Sequence, residues 1–280
     1  VKISLHDLGC GTVTIMRQIA AEALDIEIGK VKVTEADTLM TPEDSAGTQA
    51  SRVTFVCGEA VKEAGEKLRK KLVDAFCQLK NVEIEEIETS CGYIYIKGSG
   101  ERYKYSDIVK EYEKNYQEGM SVFIKYKSPA NPASFAAFFA EVEVDKYTGL
   151  VNIIDSLAVH DIGKSINPML VEGQIQGGAQ FSIGMALMED IEIDKRGNVK
   201  STNFSKYHII NSTSMPYVKT LTVEENEPYG PYGAKSVGEM ATVAPAPAVV
   251  NAINYALDLN ITDYPASPEL IISELEKKTN

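Results

Sequence analysis

No stretch of this chain approaches the ~20 consecutive apolar residues that cross a bilayer, and its start, Val1-Lys2-Ile3-Ser4-Leu5-His6, lacks the basic region, apolar run and cleavage site of a signal peptide. A cytoplasmic protein with no membrane partner is expected. The chain does not begin with Met, as expected of a processed subunit or of the C-terminal piece of something longer. Basic charge is in short supply: 28 Lys and Arg against 40 Asp and Glu leave a formal net charge of −12. That removes the electrostatic footprint of a nucleic-acid binder while leaving room for a local basic pocket around one phosphate. Nucleic acid is therefore not an expected partner. The four cysteines, Cys10, Cys57, Cys77 and Cys91, match neither a CxxC metal pair nor an iron–sulfur run. They read as the reduced thiols of an intracellular protein. His6, His160 and His208 show no metal-ligand spacing, and the sequence holds no GxSxG elbow and no Walker-type loop. Each histidine is read as structural.

What is present is an ordinary soluble mixture, 44% hydrophobic and 24% charged over 280 residues, enough for one large domain or two of usual size. Helical spacing of Val13, Met16, Ala20, Ala23 and Leu24 predicts a helix over 12–24. A short β-type run follows at 32–35. The apolar face Val53, Val56, Ala60, Ala64, Leu68 and Leu72 predicts a long helix toward Leu79, with its lysines and glutamates on a solvated side. Strands are expected at 82–88 and 93–97 across a Ser-Cys-Gly turn, then a short helix from Ser106 to Tyr112. A linker at 115–120 leads to Val122-Phe123-Ile124, and a hairpin of 138–145 and 150–160 is expected around Asp145 to Gly149. Asn167 and Pro168 fit the cap and first position of a helix running to about Met188. Asp194 to Asn198 reads as a turn, 205–211 and 217–223 as strands, and Pro245 to Leu257 as the last substantial helix. The division expected is 1–117 and 118–280, two α+β subdomains. One short echo joins them, His6-Asp7-Leu8-Gly9 against His160-Asp161-Ile162-Gly163.

Chemistry is suggested by four glycine-rich loops. Gly9-Cys10-Gly11 at a helix start is either a turn and cap or a place for an anion. Gly47-Thr48-Gln49-Ala50-Ser51-Arg52 offers hydroxyls and a guanidinium that suit phosphate, or a helix cap. The 168–188 helix carries Gly173, Gly177, Gly178 and Gly184, each costing ~1 kcal/mol relative to Ala, which implies close packing against backbone or a large ligand. Gln174 among them either reads a heterocycle or is a buried amide satisfied by backbone. Finally Gly230-Pro231-Tyr232-Gly233-Ala234-Lys235-Ser236-Val237-Gly238-Glu239 places one carboxylate just before a helix. Glu239 is a candidate base that low side-chain bulk would let approach a ligand, or a charge that complements the helix dipole.

In order, Gly-x-Gly-x-x-Thr at 9–14, Gly-Thr-x-Ala-Ser at 47–51, Asp-x-Gly-x-x-x-Asn-Pro-x-x-x-x-Gly-Gln-x-x-Gly-Gly at 161–178 and Ala-Lys-x-Val-Gly-Glu at 234–239 resemble the molybdenum-binding C-terminal region of the xanthine dehydrogenase/aldehyde oxidase family. Each motif alone is weak, but the four fall in register over nearly the whole chain. The resemblance implies a mixed α+β fold of two intertwined subdomains and a molybdopterin-type molybdenum cofactor, with or without an attached nucleotide. It implies that Glu239 is the general base toward the hydroxyl on the metal and that Gln174 hydrogen-bonds the pterin. It places Leu8, Gly9 and Cys10 against the cofactor, Ala50 beside the molybdenum by its backbone, and Thr48, Gln49, Ser51 and Arg52 along pterin and phosphate. Lys235, Ser236, Val237 and Gly238 complete the set as the loop leading to Glu239.

The sequence departs from the family pattern in two ways. Cys10 stands where many members carry Gln. The first half of the family's molybdenum-binding region, with most of the substrate pocket, has no counterpart here. The expected partners are therefore that first half, iron–sulfur ([2Fe-2S]) and FAD subunits or domains, and a small purine, N-heterocycle or aldehyde substrate. Carbon monoxide oxidation on the same scaffold and a cofactor-free scaffold chain are the rival readings.

Overall fold

The computed structural model describes residues 1–279, which form a mixed α+β protein. Two compact units emerge, Val1–Pro132 with Asn226–Lys235, and Ala133–Glu225 with Ser236–Asn280. Position 117/118, where the sequence suggests a division, lies inside the first of these. Among the described residues no helix is long and apolar enough to cross a membrane.

In the first unit, α1 (Thr12–Leu24) matches its predicted span and buries Ile15, Met16, Ile19, Ala20 and Ala23. The long predicted helix is two elements: a π-helical turn, Val53–Cys57, and then α2 (Gly58–Lys80). Helix α2 lies close against α1, because a Cβ at Gly65 would sit 2.6 Å from that of Ala23. A three-stranded antiparallel sheet follows, β1 (Ile87–Ser90), β2 (Tyr93–Ile96) and β3 (Arg102–Lys104). Cys91 and Gly92, both at positive φ, make the two-residue turn between β1 and β2 that right-handed strand twist favours. Leu72, Phe76, Ile87, Ile94 and Ile108 of α2, the sheet and α3 (Tyr105–Tyr116) form a core cluster of this unit.

In the second unit, β4 (Ala136–Val144) and β5 (Val151–Asp161) form the predicted hairpin. Asp145 Oδ1 accepts from the N–H groups of Tyr147 and Thr148 at the turn. Helix α4 (Pro168–Leu187) then carries the chain to β6 (Val218–Val223), which pairs parallel to β5. Asn167 caps α4 as expected, its Oδ1 accepting from Leu170 N at 3.2 Å. Helix α5 (Pro245–Leu257) and α6 (Pro268–Thr279) complete the unit, and Ile153, Ala158, Ile175, Ile183, Val249, Ile253 and Ile271 fill its core.

Two predicted β segments, 32–35 and 205–211, do not form strands. Thr34 makes only a single bridge to Lys2, which is too little pairing for a strand at 32–35. Residues 122–124 pair with nothing regular. At 205–211 side chains win over the ladder: Asn203 takes Ser205 N and Tyr207 N on its side-chain and main-chain oxygens, and Asn211 folds the next turn. Strand β3 and helix α6 lie outside the predicted set; α6 begins where Ser267 Oγ accepts from Leu270 N.

Candidate functional site

In the first unit two of the glycine loops are built around their own polar side chains. Asp7 accepts from Gly9 N and Gly11 N on Oδ1, both at 3.0 Å, and from Val13 N on Oδ2 at 3.3 Å. The N–H groups at the start of α1 are thus turned onto the chain's own carboxylate. The structure follows the turn-and-cap alternative there, not the open anion site. Leu8 is 73% exposed, Gly9 is exposed and Cys10 partly so. A Cβ at Gly9 would meet nothing within 4 Å, although its φ of +94° favours glycine.

The 47–52 loop is clasped to this one. Thr48 Oγ1 accepts from His6 N at 2.9 Å and donates to His6 O at 3.1 Å, so its hydroxyl serves the neighbouring loop instead of a helix end. Arg52 Nη1 donates to Asp44 Oδ2 at 2.7 Å and to Gly47 O at 3.0 Å, which closes the loop on itself. Burial of Asp44 would raise its pKa, but hydrogen bonds from Arg52 and Ala46 N, with the guanidinium charge, outweigh it and hold the carboxyl below its ordinary value. Beside it the Cys57 thiol is pushed up to about 11 by burial, so it stays protonated and unreactive. With these side chains committed, the exposed feature is backbone. Ala50 and Ser51 both have φ of 50°, a left-handed conformation costing roughly 1–2 kcal/mol per residue. Gln49 and Ala50 are exposed, Ser51 half-buried. Backbone strain of this kind, followed at once by a π-helical turn, is a frequent mark of functional sites.

Gly230 to Lys235 forms a tight knot in this same unit. A Cβ at Gly230 would collide with Ala234 O, and one at Gly233, where φ is +91°, with Asn226 Oδ1. Tyr232 is pushed up to about 12 by burial and by Glu22, Glu66 and Glu59.

In the second unit the candidates lie on α4 and on the turn packed against it. Gln174 is half-buried on α4 and its amide makes no hydrogen bond among the described residues. One helical turn on, Gly178 touches the backbone of the turn that carries Glu239: a Cβ there would come 2.5 Å from that of Ala241. Glu239 itself is exposed and opens a short 3-10 turn, Glu239–Thr242, whose Thr242 Oγ1 donates to Glu239 O at 2.8 Å. The buried Ser182 Oγ accepts from Ala246 N at 2.8 Å, fixing the next stretch to α4 as well. Upstream, Ser236 O accepts from Ser134 Oγ at 3.2 Å and Val237 packs on the core, while Gly238 precedes the turn. Lys235 is half-buried at the end of the knot.

The four α4 glycines therefore divide. Gly178 meets Ala241 and Gly184 meets the Glu189 carboxylate, whereas Gly173 and Gly177 face open space. His160 is buried with Nδ1 unpartnered, and burial lowers its pKa, so it is neutral near pH 7 and structural. Sequence reasoning passed over Asp7 and Asp44. The signal for the former lies in the short echo: Asp7 and Asp161 each accept from the glycine two residues on, at 3.0 and 3.2 Å, and both glycines have positive φ. Among the described residues no cluster of His, Cys, Asp and Glu could hold a metal ion through side chains.

A family model described as the molybdopterin cofactor-binding domain matches residues 1–216. The xanthine dehydrogenase molybdenum-binding subunit of Escherichia coli O157:H7 is 31% identical over 98% of this chain and 37% of its own. The carbon monoxide dehydrogenase large chain of Afipia carboxidovorans is 29% identical over 89% of this chain and 31% of its own. Among solved structures, quinoline 2-oxidoreductase of Pseudomonas putida 86 superposes with a TM-score of 0.88 at 26% identity, covering 98% of this chain and 36% of that one. The chain spans about a third of the length of each.

Proposed function

This chain belongs to the molybdopterin cofactor-binding domain family, and from that premise we propose that it supplies part of the cofactor site, and the catalytic base Glu239, of a molybdenum hydroxylase large subunit. The residues present fit such a group. A pterin ring is recognised by amide and backbone donors and acceptors, and Gln174 offers an amide without a partner among the described residues. The strained backbone at exposed Ala50 and half-buried Ser51, with the open face of Gly9, allows close approach with little side-chain bulk.

When bound, the cofactor supplies the redox chemistry that oxidises the substrate carbon. In the first unit, the backbone at Leu8 to Cys10 and Gln49 to Ser51 would contact it, with the Ala50 backbone beside the metal. Asp7, Thr48 and Arg52 hold those backbones in shape. In the second unit, Gln174 would hydrogen-bond the ring, and Ser236, Val237 and Gly238, which follow Lys235 in the chain, would lead to the base. A carboxylate oxygen of Glu239 would take the proton of the attacking oxygen. The observation that carries this reading is the Gly178–Ala241 contact, which fixes the turn bearing Glu239 to the helix bearing Gln174. A base needs shielding from water at the moment of reaction, and the polypeptide that this chain lacks relative to its longer relatives would provide it.

The substrate class proposed is a purine, another N-heterocycle or an aldehyde, with electrons passing to [2Fe-2S] and FAD partners. Similarity to the carbon monoxide dehydrogenase large chain makes carbon monoxide the second reading. Molybdenum and pterin analysis of the complex purified with its native partners is the test, followed by turnover of hypoxanthine, quinoline, benzaldehyde and carbon monoxide. Stoichiometric cofactor with heterocycle or aldehyde oxidation is expected. Absence of both metal and pterin under ample cofactor supply would leave a scaffold chain.

A further inference from the structure

Helix α4 has a second face that the proposed site does not use. At every fourth position it presents Met169, Gly173, Gly177, Phe181 and Met185, and residues so spaced stack along one strip of helix surface. All five are exposed, Met169 by 74%, Phe181 by 65% and Met185 by 48%. The opposite side, Ile175, Ala179, Ile183 and Ala186, is sealed in the core. A helix apolar on both sides is the pattern of one enclosed all round.

The two glycines at the middle of the strip sharpen this. A Cβ at Gly173 or Gly177 would meet nothing within 4 Å, so no contact within the chain requires either, and both weaken the helix relative to Ala. Flanked by Met and Phe, they form a trough in which another backbone can lie close. The strip carries no charge, so its complement is apolar. The E. coli and Pseudomonas relatives devote 63–64% of their length to polypeptide outside the matched region, by subtraction from the 37% and 36% covered.

We propose that the Met169-Gly173-Gly177-Phe181-Met185 strip is the docking face for the polypeptide equivalent to that remaining part of the large subunit, which lays a backbone segment with apolar side chains into the glycine trough. The proposal rests on the functional reading above for the identity of the occupant. Docking would press on the helix that carries Gln174 and supports the turn of Glu239, so assembly and completion of the site are one event.

The test uses a photo-crosslinking benzoylphenylalanine at Phe181, with the complex purified from the source organism through a tag on this chain. Crosslinked peptides should come from a polypeptide similar to the unmatched region of the E. coli subunit. The same probe at Tyr147, 95% exposed in the turn between β4 and β5, should give none of them. In parallel, Gly177→Leu should leave the chain alone melting at or above the wild-type temperature yet weaken its association with that polypeptide by at least about ten-fold. Crosslinks only to a second copy, to an unrelated protein or to nothing would overturn the proposal, as would undiminished association of Gly177→Leu. A wild-type complex that crosslinks as expected but lacks molybdopterin would sink the functional reading and leave the docking face standing.

Discussion

The glycine loops of the first unit and the α4 segment of the second are both glycine-rich and both match family motifs, yet they spend their polar side chains in opposite ways. Around Gly9 and Gly47, Asp7, Thr48 and Arg52 turn inward and saturate neighbouring backbone groups, leaving strained main chain as the surface on offer. On α4, Gln174 is carried by a helix packed through apolar contacts and its amide has no partner among the described residues, while Glu239 stands exposed on the turn that packs on that helix. A matched motif residue can thus shape the backbone or meet the ligand, and only its hydrogen-bond partners distinguish the two.

That contrast predicts a gradient of effects on the stability of the chain itself. Asp7→Ala removes an acceptor shared by three N–H groups and should cost about 2–3 kcal/mol, read as a lowered midpoint in urea. Little change would mean that water replaces the carboxylate easily and that the loop is not built by its side chains. Asp44→Asn should cost less, no more than about 1 kcal/mol, because the pair with Arg52 is partly exposed. Its sign with pH is fixed: a carboxyl whose folded pKa is depressed stabilises above its ordinary value and loses that contribution as pH falls through the folded one. The gap between wild type and Asp44→Asn should therefore be present at neutral pH and close in strong acid; a gap that widens in acid would refute the pairing. Gln174→Ala should change stability least, within about 0.5 kcal/mol, since the amide has no partner among the described residues. It should instead lower the pterin content of the assembled complex, and full occupancy would move Gln174 to the structural side of the comparison.

Much of the fold was legible because long apolar periods survive their context. The 12–24 helix, the hairpin at Asp145 and the Asn167-Pro168 helix start follow from local chemistry alone. The strands expected at 32–35 and 205–211 had apolar or β-branched residues but no neighbouring strand to pair with, and pairing is a property of the whole chain. The candidate site was legible as an ordered set of motifs, and the family resemblance they carry is borne out by the matching family model. What pattern could not show was the division of labour within each motif. Thr48 looks like a cap and is a clasp; four similar glycines on α4 have two different surroundings. Such distinctions depend on residues distant in sequence, His6 for Thr48 and Ala241 for Gly178.

The most direct measurement is turnover by Glu239→Gln in the complex assembled with its native partners, normalised to molybdenum and pterin content. A catalytic base at Glu239 predicts full cofactor occupancy with turnover reduced by about 10²–10⁴-fold. Full occupancy with near-normal turnover would contradict the assignment of Glu239 as the proton acceptor.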